Sequence, residues 1–297
     1  MNISKYKAFL KTVEYGNITR AAIDLGYTQS GISHMIHDLE REYGFQLLIR
    51  SKSGVELTTN GTLLLKPLQE LLNEYEKLCQ TVNSINGLET GTIRIGTFTS
   101  VSVQWLPSIM KKFQCDFPQI EIQLFEGSYI EIEQWLEQGK IDCGFLTDSS
   151  HYKFDFIPLK KDRMLAILPV NHSFAEFERF PILQFQKEDF ILAHKGFDDD
   201  VLNVFHKTGI NPNIKYTVKG DNAIIAMVAN ELGIGMLPEL FLQGNSHNIC
   251  IKDLEPEYSR TIGIVVPNLS SIPPATKRFI DYLKIWLGNQ YKGHERK

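Results

Sequence analysis

Cysteine is scarce: four in 297 residues, Cys79, Cys115, Cys143 and Cys250, widely spaced and with no C-x-x-C pair. That spacing argues against a zinc cluster or a disulfide framework, and the simplest reading is reduced thiols in a cytosol. Long apolar runs are missing too; none approaches the roughly 18 residues that cross a bilayer. The N-terminus, MNISKYKAFLKTVEYG, alternates charge with apolar residues where a secretory signal would have a continuous apolar centre. No membrane partner and a cytoplasmic location are therefore expected. Charge of one sign is also lacking: the formal net charge is -4, so bulk charge names no partner.

Catalytic and cofactor motifs are absent as well. No G-x-S-x-G occurs, and Gly233-Ile234-Gly235 lacks the longer glycine pattern of a dinucleotide loop. His151, His172, His194, His206 and His247 are scattered, with no H-x-x-x-H pair. The run GFDDD at 196–200 holds three adjacent acids, which do not point the same way on a helix and suit a helix N-terminus in any case. No enzyme, no metal site and no cofactor are expected.

What is present is an ordinary globular composition, 43% hydrophobic and 22% charged, long enough for about two domains at roughly 150 residues each. Tyr6, Phe9, Leu10 and Val13 follow the spacing of an amphipathic helix that stops at Gly16. Asn17 can cap a second helix carrying Ala21, Ala22, Ile23 and Leu25, and Gly26 ends it in a tight turn. Thr28 is a plausible cap for a third. The segment LLIRSKSGVEL has two short apolar runs around a Ser-Lys-Ser-Gly turn and reads as a hairpin, or wing.

From 58 to 88 the pattern changes. Leu64, Leu68, Leu71, Tyr75, Leu78, Val82 and Ile85 alternate spacings of four and three, the a/d seam of a helix that pairs with another helix. The strict alternation favours pairing between chains over packing on its own domain. Pro67 should bend or start this helix. After Gly91 strands and helices alternate, which implies βαβ units and a mostly parallel sheet. The elements are the strands TIRIGTF, IEIQLFE, IDCGFL, MLAILP, FILAH, IKYTV, GIGML and TIGIVVP. Helices are expected over 103–117, 130–138, about 199–208, about 221–231 and 275–287.

On the third helix Ser30, Ser33, His34 and His37 share one face, with Gln29 at its start, while Ile32, Met35, Ile36 and Leu39 face the other way. Short hydrogen-bonding side chains let a helix sink into a major groove, where Gln pairs with adenine and Ser with phosphate or a base edge. A solvated face on an ordinary helical domain would look the same, and spacing alone leaves the two readings level. Residues 1–60 hold seven Lys/Arg and six acids, a formal +1. A module this close to neutral should bind DNA poorly alone, so pairing of two modules would matter. Arg50 and Lys52 beside the wing turn are the best-placed cations.

The segment from Phe9 to Gly61 resembles the winged helix-turn-helix of LysR-type transcriptional regulators. The marks are Ala21-Ala22, Leu25, Gln29-Ser30, Ile32-Ser33, Leu39-Glu40, Gly44, Arg50 and Leu57-Thr58 with Gly61. The segments GTIRIGTFTSVSVQWLPSIMKKFQCDFPQIEIQLFEG, LEQGKIDCGFL and MVANELGIGMLP look like that family's effector-binding domain. His34 stands where an arginine is frequent in the family, and Leu48 replaces a common phenylalanine. The resemblance implies an α plus α/β protein. Its parts are a winged helix-turn-helix over 1–58, a linker and dimerisation helix over 59–88, and an effector-binding domain over 89–297. That last domain has two lobes, 91–162 with 267–297 and 163–266, like a periplasmic binding protein, with crossovers near 160–165 and 265–268.

The DNA-reading residues would be Thr28, Gln29, Ser30, Ser33, His34, His37, Arg50, Lys52 and Ser53. Ligands of open α/β lobes sit at strand ends and helix starts. That rule selects Thr99, Ser100, Ser128, Thr147, Lys195, Gly196 and Phe197, positions from which the family's cleft is lined. Thr99, Ser100 and Ser128 could equally be helix caps. The partners implied are double-stranded DNA with an imperfect palindrome, a small-molecule effector, further copies of the chain as dimer and tetramer, and RNA polymerase. A solute receptor that uses its N-terminal module only for pairing is the competing reading. It predicts ligand binding without DNA binding, and the lack of a signal segment argues against it.

Overall fold

The computed structural model describes residues 2–51, 54–87, 89–148, 152–244 and 248–291. Lys52, Ser53, His151 and His247, singled out above, lie outside the described residues. The chain forms two compact units, Met1–Gly91 with Glu137–Lys140, and Thr92–Leu136 with Ile141–Lys297.

In the first unit, α1 (Ile3–Tyr15), α2 (Ile18–Leu25) and α3 (Gln29–Tyr43) begin at Asn2, Asn17 and Thr28, whose side-chain oxygens accept first-turn amides. Gly16, Gly26 and Gly44 end them in the left-handed region, which costs glycine nothing. Ala8, Ala21 and Ala22 are buried and let the helices close on Phe9, Ile32, Ile36 and Leu39. The wing is a two-stranded antiparallel hairpin, β1 (Leu48–Ser51) and β2 (Gly54–Leu57), with Arg50 opposite Val55.

The long helix α4 (Thr59–Ile85) starts on a Thr58 cap, so Pro67 neither starts nor divides it. Pro67 lies on the exposed side, where water can serve the carbonyl that its missing N–H leaves free. Gly61, in the first turn, sits against the carbonyl oxygen of Leu47 with no room for a Cβ, which would also stand 2.9 Å from Leu57 Cδ2.

The heptad seam splits in two. Leu68 is buried and Leu64 and Leu71 are half-buried in the core of their own domain, alongside Leu72, which lies off the seam. Tyr75, Leu78, Val82 and Ile85 stay 41%, 60%, 47% and 80% exposed. Leu64, Leu68 and Leu71 thus pack on the core of their own domain, while the outer half of the seam stays exposed. The heptad registers equally with any apolar neighbour, and here the nearest is the three-helix core.

The second unit opens with β3 (Gly91–Thr97), α5 (Thr99–Gln104), α6 (Leu106–Asp116), β4 (Ile120–Glu126), α7 (Tyr129–Glu137) and β5 (Cys143–Thr147). The single helix expected over 103–117 is two helices, broken at Trp105. There follow β6 (Asp155–Pro169), β7 (Arg179–Pro181), β8 (Asp189–Ala193), α8 (Asp199–Thr208), β9 (Asn213–Val218), α9 (Asp221–Ala229), β10 (Gly235–Pro238), α10 (Glu239–Leu242), β11 (Ile249–Val266) and α11 (Pro274–Tyr291).

The main sheet runs β10-β6-β11-β5-β3-β4, with β7 beside β11, and β8-β9 form a separate parallel pair. It is mixed rather than mostly parallel. The reason is that β6 and β11, the two longest strands, run antiparallel and each serves both lobes. Phe156, Ile157 and Leu159 pack on the first lobe's core, whereas Met164, Ala166 and Leu168 belong to the second's. Leu165 and Ile167, pointing the other way, fill a further core against α9. β11 returns between Tyr258 and Ile262, earlier than the 265–268 that the family resemblance suggests, because Ile262 to Val265 are already paired with β5.

Candidate DNA-reading face and effector cleft

In the first unit, α3 and β1 form a shallow concave face lined by Gln29, Ser30, Ser33, His34, His37 and Arg50, together with Glu40 and Gln46. Gln29, Ser30, His34, His37 and Arg50 are exposed. Thr28 stands at the helix start rather than in the concavity: its Oγ1 accepts from Gly31 N at 3.1 Å and lies 3.1 Å from Ser30 Oγ. Arg50 Nη1 donates to Ser33 Oγ at 2.7 Å, which carries a guanidinium from the wing onto the helix face. His34 Nε2 is 3.6 Å from Asp38, a carboxylate already shared with Arg41 at 2.7 Å and Lys5 at 3.6 Å. Glu40 accepts from Leu47 N and Leu48 N at 2.8 and 3.1 Å and ties the third helix to the wing. A Glu seven residues before its partners gives no local signal, so sequence reasoning assigned Glu40 no role.

The second unit holds a cavity between its lobes of about 660 Å³, open mouth included, with apolar walls that include Phe98, Ile191, Ile224 and Met236. Of the predicted residues, Thr99, Ser100, Ser128, Gly196 and Phe197 line it; Thr147 and Lys195 do not. Thr147 is buried behind the wall and its Oγ1 donates to Asp200 at 3.3 Å. Lys195 is exposed. Ser128 and Glu131 form a reciprocal cap at the start of α7: Ser128 N and Oγ both donate to Glu131 Oε2 at 2.8 Å, and Glu131 N donates back at 3.3 Å. These bonds from Ser128 hold the Glu131 carboxyl below its usual range.

The charged centre of the cavity is Arg260, on β11, which sequence reasoning did not select. A guanidinium has five N–H donors. Asp162 accepts from Nε at 2.9 Å and its carboxylate pairs with Nη2 at 2.8 Å, and Ser100 Oγ accepts from Nη2 at 2.9 Å. Tyr129 and Asp200 take Nη1 at 3.1 and 2.7 Å. The guanidinium also stands 5.1 Å from the centre of the Phe98 ring. Burial opposes the charge on Arg260, but Tyr129, Asp200 and Asp162 outweigh it and raise the pKa further. Burial likewise lifts the Tyr129 hydroxyl well above its ordinary value.

Asp221, the first residue of α9, also lines the cavity. Burial pushes its carboxyl up to about 6, with Arg260 pulling down and Asp200 adding to the rise. The GFDDD acids part ways, with Asp198 accepting Gly196 N at 2.9 Å and Asp200 engaged by Arg260. Among the described residues no group of His, Cys, Asp and Glu is arranged to hold a metal ion. Nor is any described helix long and apolar enough to cross a membrane.

A winged helix-turn-helix followed by a two-lobed α/β domain with an interlobe cavity is the build of a transcriptional regulator that carries a ligand-binding domain. Residues 3–62 match "Bacterial regulatory helix-turn-helix protein, lysR family" and residues 86–288 match "LysR substrate binding domain"; the chain belongs to the LysR family of transcriptional regulators. It is 31% identical over 291 residues to the HTH-type transcriptional regulator YvbU of Bacillus subtilis (strain 168), covering 97% of this chain and 99% of that protein. The fold is shared with full-length OxyR C199D from Pseudomonas aeruginosa, at a TM-score of 0.75 and 19% identity over 97% of both chains. It is shared too with full-length CbnR complexed with its target DNA, at a TM-score of 0.66 and 19% identity, covering 96% of this chain and 99% of that one.

Proposed function

We propose that α3 and the wing read double-stranded DNA through Gln29, Ser30, Ser33, His34, His37 and Arg50, with Thr28 fixing the helix start at the groove. The observation that carries this is the Arg50–Ser33 bond of 2.7 Å, which puts a cation beside exposed small polar side chains on one concave face. Cations serve phosphate and short polar groups serve base edges. Two chains pair through Tyr75, Leu78, Val82 and Ile85, so two modules of nearly neutral charge share an imperfect palindrome and add their affinities. The pairs assemble further into tetramers, and RNA polymerase is the partner through which the bound protein acts on a promoter. A small molecule in the interlobe cavity favours one arrangement of the assembly over another. The protein works in the cytoplasm and catalyses no reaction.

Footprinting of the purified protein on DNA upstream of its own gene tests this. Two protected half-sites, separated by one helical turn of about 10 base pairs or a multiple of it, are expected. Absence of any protected site at moderate salt would sink the proposal.

A further inference from the structure

The central cation of the cavity and the start of α7, two features that would greet an anion, are already engaged by carboxylates of the protein. Arg260 donates four hydrogen bonds, to Asp162, Asp200, Tyr129 and Ser100, and its charge is matched by the carboxylates of Asp162 and Asp200. The first turn of α7 is closed by Glu131. Thr99 and Ser102 donate to Glu126 at 2.9 and 2.7 Å. An incoming carboxylate would meet Asp200 and Asp221 beside a guanidinium whose charge Asp162 and Asp200 already balance, and a buried unpaired charge is costly.

Asp221 is the opposite case. A helix-start aspartate commonly turns to the first-turn amides. Asp221 instead lines the cavity, partly buried, and accepts no hydrogen bond from any described residue. We infer that the effector is a small organic cation, an amine or amidinium on an apolar body, whose charged head is held by Asp221. The apolar walls at Phe98, Ile191, Ile224 and Met236 take the body, as walls of this kind do for most small ligands. An ammonium beside Asp221 also pulls its raised pKa back down, so ligand and site stabilise each other's charge. This rests on the reading of the interlobe cavity as the effector site.

The test is calorimetry and thermal shift on the full-length protein with three matched probe series: arylalkyl and n-alkyl amines, the corresponding alcohols, and the corresponding carboxylates. Amines are expected to bind at least about tenfold more tightly than alcohols, the scale of one charge-assisted hydrogen bond, and carboxylates more weakly still. Asp221→Asn should remove that preference, with amines then binding no more tightly than the matched alcohols, and Asp221→Glu should keep it even if the Asn variant folds poorly. Carboxylates binding as tightly as amines would overturn the charge assignment and leave the cavity as effector site. An amine preference undiminished in a folded Asp221→Asn would overturn the role of Asp221. No binding by any of the three series would overturn the cavity reading and this inference together.

Discussion

The two units treat polar side chains in opposite ways. On the concave face of the first, Gln29, Ser30, His34 and His37 stand exposed, and among the lining residues only Arg50 and Ser33 bond to each other side chain to side chain. In the cavity of the second, Arg260, Tyr129, Ser100 and Ser128 all have partners inside the protein. A surface that must meet a hydrated polyanion keeps its donors free and loses little, because water serves them meanwhile. A cavity has no such reserve, so its polar groups are satisfied from within, and the one that is not becomes informative.

The largest break in this contrast should come at the charged centre. Arg260→Ala leaves Asp162 and Asp200 in the interior without their cation, and a loss of about 3–5 kcal/mol in urea unfolding is expected. Next comes the outward half of α4. Leu78→Asp should leave the fold intact but weaken self-association by about 3 kcal/mol, roughly a hundredfold, in sedimentation experiments. Leu68→Asp, by contrast, should unfold the winged domain, because Leu68 is buried in its core. An unchanged dimer in Leu78→Asp would make the exposed seam irrelevant to pairing.

On the reading face, Ser33→Ala or Gln29→Ala should each cost about 1–3 kcal/mol of operator affinity with no change in melting temperature. His34→Ala should act in the same direction, and wild-type affinity in all three variants would remove this helix from the groove.

The smallest effect sharpens the contrast most. Asp221 has an ordinary carboxyl value of 3.8 that rises to about 6 on folding. Between those values the folded chain holds a proton that the unfolded chain has released, so stability falls as pH rises through that window. Asp221→Asn removes the fall. The variant should be more stable by about 1–2 kcal/mol at pH 7, with the difference fading towards pH 4 in denaturation curves run across that range.

The first unit was largely legible because its signals are local. Caps at Asn17 and Thr28 and stops at Gly16, Gly26 and Gly44 each act within a turn of the helix they bound. The heptad was legible as an apolar stripe but not in its partner, since the same spacing suits an intramolecular core at Leu68 and a free face at Leu78. The cavity was legible only at its rim. The strand-end rule selected Thr99, Ser100 and Ser128, and applied after IKYTV it would have selected Asp221 too. Nothing local marks Arg260, whose partners lie 60, 98, 131 and 160 positions away in the chain. The length of β6 and β11 was hidden for the same reason: only one short stretch of each, MLAILP and TIGIVVP, reads as a strand, because the apolar pattern weakens where the strand leaves one core for the next.

Gly61 sets how the parts of the first unit are joined. Its missing side chain lets the first turn of α4 rest directly on the Leu47 carbonyl, while Glu40 grips the amides of Leu47 and Leu48 from the other side. The start of α4, the wing and α3 therefore meet at one point, Leu47. With 27 residues, α4 extends from there as an arm of ~40 Å. The contacts at Gly61 and Glu40 thus couple the start of this arm directly to the wing and to α3.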